Sequence, residues 1–179
     1  MGLPTIGCNG KISRKDEIFE WLSFDINLIC PIYLDFEKII LDYENPKQPS
    51  IIYPQNGKDI SSAYDDLKNG TIIEFEKIKY SLAEFDGLND ENWFEVVGIT
   101  GNPEFEQDFE IPICPKSNKK MKFLCQFRTF GKIKAQKTIK CEDESMQEYF
   151  DFLNFWCDGS LFVFVEPDSK TVCYFIQNT

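Results

Sequence analysis

The residues that could do chemistry are best read first through what is missing. None of the 179 residues is His, so no imidazole can serve as base, proton shuttle or metal ligand. The nearest thing to a metal knuckle is Cys114-Pro115-Lys116-Ser117. Zinc favours four soft or imidazole ligands, usually from paired Cys-x-x-Cys turns, and here the fourth position is Ser with no second knuckle in the chain. The expectation is a Pro-bounded turn carrying one spare Cys, with no metal and no cofactor. Ser117-Asn118-Lys119-Lys120 fits Ser-x-x-Lys in letters only, because it sits in a basic turn ahead of a strand and does not open a buried helix. Gly98 and Gly101 form a close glycine pair, but no helix signal follows them to cradle a phosphate. No catalytic residue is assigned.

Carboxylates are abundant, and spacing selects no catalytic pair among them. Asp and Glu number 30 against 19 Lys and Arg, giving a formal charge of −11. That balance argues against nucleic acid, whose phosphates must be met by cations, and against an anionic membrane surface. Glu142-Asp143-Glu144 precedes a helical pattern. Negative charge is favourable at a helix N-terminus, and the same run could be an acidic patch for a partner. The seven Cys residues form an odd set, and Cys125 and Cys173 lie in apolar runs. They read as free thiols in a reducing compartment, hence a cytoplasmic protein. No secretory h-region or membrane-length apolar stretch is present in the sequence.

The elements that must position these residues follow from periodicity. Ser13 and Asp16 resemble a capping box, and Ile18, Trp21 and Leu22 then share a face, predicting a helix over 14–23. A second helix is predicted over 59–68, stopped by Asn69-Gly70. Met146, Tyr149, Phe150 and Leu153 follow i, i+3, i+4, i+7 and predict a third over 144–156. Strands are predicted at 26–34 (interrupted by Pro31), 36–43, 50–53, 72–80, 93–99 and 121–127. The clearest pair is Leu161–Val165 with Val172–Ile176. Both faces of that hairpin are apolar, so it should be central and covered on both sides. The expected class is α+β, with predominantly antiparallel sheet and about three helices. One domain over 1–179 is the simplest organisation, with 1–45 a candidate divergent subdomain ending before the Pro46–Pro49 loop.

The most distinctive stretch is Gly98-Ile99-Thr100-Gly101-Asn102-Pro103-Glu104-Phe105-Glu106-Gln107. It resembles the Gly-Gly-x-Pro-x-Trp-x-Gln signature of the YwqG-like family of bacterial proteins. Two further segments agree in order and spacing: Pro112–Gln126 around Cys114, and Gly159–Pro167. The resemblance spans residues 96–176. Thr100, Phe105, Ser117 and Asn118 stand where the family pattern has Gly, Trp, Cys and Gly. The resemblance implies an antiparallel-rich α+β fold and no established enzyme activity. Some members are similar to immunity proteins encoded beside bacterial toxins.

Within this motif Gly101 and Pro103 should shape a loop, Phe105 should pack, and Gln107 and Gln126 should satisfy backbone groups between strands. Together these features point to a non-enzymatic binding protein, with neutralisation of a basic toxin as its sharpest form. A small-ligand or peptide-binding module is the alternative, and a carboxylate- or Cys-dependent enzyme is another. The candidate partner contacts are Asp90, Glu91, Trp93, Glu104, Phe105, Glu106, Glu142, Asp143 and Glu144.

Overall fold

A computed structural model describes residues 10–28, 34–35, 37–55, 61–62, 73–79, 81–84, 96–128, 133–155 and 159–178. Twelve strands occur among them: β1 (Gly10–Ile12), β2 (Ile26–Leu28), β3 (Leu34–Asp35), β4 (Ile39–Asp42), β5 (Ser50–Tyr53), β6 (Ser61–Ser62), β7 (Glu74–Phe75), β8 (Gly98–Ile99), β9 (Lys122–Phe127), β10 (Ala135–Lys137), β11 (Ser160–Glu166) and β12 (Thr171–Gln177). The single α-helix described, α1, runs Glu144–Asp151. The body is a six-stranded sheet in the order β5-β4-β12-β11-β9-β8, antiparallel at every pairing.

This corrects the expected class: the described chain is mostly β, not α+β with about three helices. The N-terminal segment makes only a 3-10 turn, Glu17–Phe19. Its supposed capping residue is used elsewhere. Ser13 Oγ accepts from Lys15 N at 3.2 Å and Asp25 Oδ1 accepts from Arg14 N at 3.1 Å, so local side-chain bonds compete with helix continuation. The buried pair is Phe19 and Leu22, at 3-10 spacing, and Ile18 is left exposed. Of the proposed helix at 59–68, the described part, Ser61–Ser62, is a strand paired with β3; the remainder lies outside the described residues. The third helix is real but ends at Asp151.

Alternation divides the central hairpin between two cores. Leu161, Val163, Val165, Val172 and Tyr174 face one side, where they meet Phe150 and Leu153 from α1 and its C-terminal flank. Phe162, Phe164, Cys173 and Phe175 face the other, with Ile40, Met121 and Cys114. A strand buried on both faces reads as a continuous apolar run, and every residue of β11 is buried. On the second face the rings stack: Phe162 on Phe175 at 5.2 Å and Phe164 on Phe175 at 5.7 Å.

Candidate functional site

The second face of the sheet changes character along its strands. Beyond the Phe stack, β9, β11 and β12 present Gln126, Ser160 and Gln177, all buried, and Arg128 follows directly after β9. Across these polar groups runs a strap, residues 100–111, that contains no strand of its own. Gly101 turns the chain with φ +98°, a left-handed value that disfavours a side chain although a Cβ there would touch nothing within 4 Å.

Side chains of the sheet pin the strap. Gln126 acts like a neighbouring strand: its Oε1 accepts from Glu104 N and its Nε2 donates to Glu104 O, each at 3.0 Å. Gln177 Oε1 accepts from Glu106 N at 3.1 Å and Gln107 N at 3.3 Å, and its Nε2 donates to Asp108 O at 2.9 Å. Gln107 Nε2 donates to Asn178 O at 3.0 Å. The Glu106 carboxylate is tied down as well. Arg128 Nη2 donates to its Oε1, Ser160 Oγ donates to the same oxygen at 2.9 Å, and Arg128 Nε donates to Ser160 Oγ at 2.8 Å. Phe105 lies flat on Phe162, with centroids 5.2 Å apart and planes 8° from parallel.

Two motif residues offered as partner contacts, Phe105 and Glu106, therefore face inward and are occupied by the protein itself. Glu104 is half-buried. The strap's outward groups are Asp108 and Phe109, the latter 73% exposed and packed edge-on to Phe105 at 5.0 Å. Among the described residues no ion pair engages Glu104 or Asp108, whereas Lys38 takes up Glu110 and Arg128 takes up Glu106. Glu142, Asp143 and Glu144 are exposed at the start of α1, which packs on the first core. The acidic candidates thus fall on opposite faces of the sheet. Asp90, Glu91 and Trp93 lie outside the described residues.

Cys114 opens a tight turn closed by Asn118 N donating to Cys114 O at 2.8 Å and Cys114 N donating to Lys119 O at 2.9 Å. Asn118 adopts φ 57°, the left-handed region Asn tolerates best after Gly. Cys114 is fully buried, its Sγ 3.3 Å from Ser169 Oγ. Burial pushes its thiol pKa up. The hydroxyls of Ser117, Ser169 and Thr171 and the Ser117 backbone outweigh this and hold it below the ordinary value. Among the described residues, Ser117 Oγ itself is buried without a partner in hydrogen-bond geometry. Among the described residues no group of three or more Cys, Asp or Glu side chains could hold a metal ion. No helix among them is long and apolar enough to cross a membrane. Cys114, Cys125 and Cys173 are buried free thiols.

Sequence reasoning missed Phe109, Arg128, Ser160 and Gln177. Gln177 had a signal, a carboxamide ending the apolar run from Val172 to Ile176. Compared with known proteins, the chain matches no family model, no curated protein and no solved structure.

Proposed function

We propose that this is a non-enzymatic protein that binds a basic protein partner through its acidic outer surfaces. The observation that carries this is the outward edge of the strap. Asp108, with no ion-pair partner among the described residues, sits beside the exposed ring of Phe109, on a backbone pinned by Gln177. An aromatic face beside a carboxylate complements an Arg or Lys side chain, and a pinned backbone has little freedom left to lose on binding. The −11 charge and the exposed Glu142, Asp143 and Glu144 supply the long-range field that speeds encounter with a cation-rich partner. Neutralisation of a basic toxin is the form of this reading that the YwqG-like resemblance implies. The buried free thiols of Cys114, Cys125 and Cys173 support a reducing, cytoplasmic setting.

The test is capture from lysate of the source organism at low and high salt, followed by association kinetics with the captured protein. Asp108→Lys with Phe109→Ser should lower the amount of partner captured and shorten the lifetime of the complex. Reversal of Glu142, Asp143 and Glu144 to Lys should slow association severalfold at low salt alone, because screening acts over a Debye length of about 8 Å at physiological ionic strength. Capture of no basic protein under either condition would end this reading.

A further inference from the structure

We propose that the sheet surface under the strap is a peptide-binding site. Its resident occupant is the strap, and it accepts in exchange a segment of the same bent path carrying an aromatic residue followed immediately by a carboxylate. The proposal does not depend on the basic-partner reading, because it uses the inner face of the strap and not the outer one.

The division of labour is that of a receptor and a guest. The sheet supplies side chains; the strap supplies mostly backbone. Gln126 engages both the N–H and the C=O of Glu104, and Gln177 engages two N–H groups and one C=O. Those bonds use backbone groups alone, so they would form with any chain that bends as residues 106–108 do, whatever its sequence. Two contacts read sequence. The flat face of Phe162 takes the ring of Phe105, and Arg128 with Ser160 takes the carboxylate of Glu106, one residue further on.

Burial makes the occupant obligatory. Gln126, Ser160 and Gln177 are 1%, 0% and 6% exposed. With the strap simply lifted, these groups would lose partners that a buried polar group needs. An apolar staple over Phe162 would have covered the sheet without such demands. A polar, backbone-matching cradle instead favours replacement of one segment by another of the same chemistry. In the intact chain the strap competes at the high effective concentration of a tethered ligand, so the site is occupied in cis.

The experiment frees the site and refills it. The double variant Phe105→Ala, Glu106→Ala removes both sequence-reading contacts from the strap. The probe is a labelled peptide with the sequence of residues 102–110, followed by fluorescence anisotropy. The double variant is expected to bind it at least about tenfold more tightly than wild type does. Replacing the Phe equivalent to Phe105 by Ala in the probe, or the following Glu by Gln, should weaken binding at least about tenfold, and so should adding Arg128→Met to the protein. A folded double variant that ignores the peptide at millimolar concentration, or binds all probe sequences equally, overturns the proposal. If the double variant fails to fold, hydrogen exchange on wild type decides. The Glu104, Glu106 and Gln107 amides should exchange at least about tenfold faster than those of β11 and β12, by local release. Exchange of both sets only through global unfolding overturns the proposal.

Discussion

Arg128→Met is the most informative single perturbation of the strap's anchorage. The Arg128 and Glu106 side chains are only 12% and 13% exposed. Methionine keeps the length of the stem and removes the guanidinium, so Glu106 is left as a mostly buried carboxylate supported by Ser160 Oγ alone. Stripping one partner from a buried pair costs about 3–5 kcal/mol. Ser160 Oγ also loses its donor from Arg128 Nε. For a chain of this size each kcal/mol moves the melting temperature by about 2–4 °C, so a fall of roughly 10 °C is expected in circular-dichroism melts. The control is Lys119→Met. Its ion pair with Asp168 joins side chains 60% and 75% exposed, and such solvated pairs contribute little to stability. A second control, Arg128→Met with Glu106→Leu, removes the stranded charge and should recover at least half of the loss. If Arg128→Met melts with the Lys119 control, or if the double variant is no better than the single one, the pair is not the anchor described.

Other outcomes follow from the same geometry. Phe164→Ala removes a ring 1% exposed and should cost about 3–5 kcal/mol, read as loss of soluble protein or of cooperative melting. Gly98→Ala would set a Cβ 2.7 Å from the Gln126 carbonyl oxygen. It should destabilise by about 1–3 kcal/mol and shift amide signals of β8 and β9 before others. Burial drives the Cys125 and Cys173 thiol pKa values upward. In the unfolded chain these thiols ionise near their ordinary value and in the folded chain they stay protonated, so their contribution is full below that value and falls as pH rises above it. The lowered thiol pKa of Cys114 acts oppositely, lending stability that is lost as pH falls through its folded value. Two groups outweigh one. Wild type should therefore lose melting temperature between pH 9 and pH 10.5, and a Cys125→Ala, Cys173→Ala variant should show a shallower loss, by calorimetry.

Legibility in the sequence followed the range of the forces involved. The β11–β12 hairpin was readable because unbroken apolar runs joined by a turn are a local signal, and its burial on both faces follows from the same letters. The N-terminal helix was misread because Asp25, twelve residues on from Ser13, accepts its hydroxyl, and no capping pattern contains that. Gln126 was legible because it closes the Pro112–Gln126 segment that carries the resemblance. Arg128 and Ser160 did not, because their partner Glu106 is 22 and 54 residues away. The acidic motif looked like a contact surface, yet half of its chemistry turned inward. Phe109 passed unnoticed in a polar tract because its exposure depends on Phe105 taking the place beside Phe162.

The strand order has a consequence for assembly. β5 with β4 forms one wing of the main sheet and β8 with β9 the other, and they are joined only through β12 and β11. Both wings are encoded before the hairpin that joins them. A two-stranded ribbon is marginal in water on its own, so during synthesis each wing must wait, its apolar faces unshielded, until residues 160–177 emerge. Non-local pairings such as β12 with β4 are slow to form. The sheet is therefore completed in one late step rather than as a series of finished pieces, and until residues 160–177 emerge a holding chaperone has more to do than for a helical bundle.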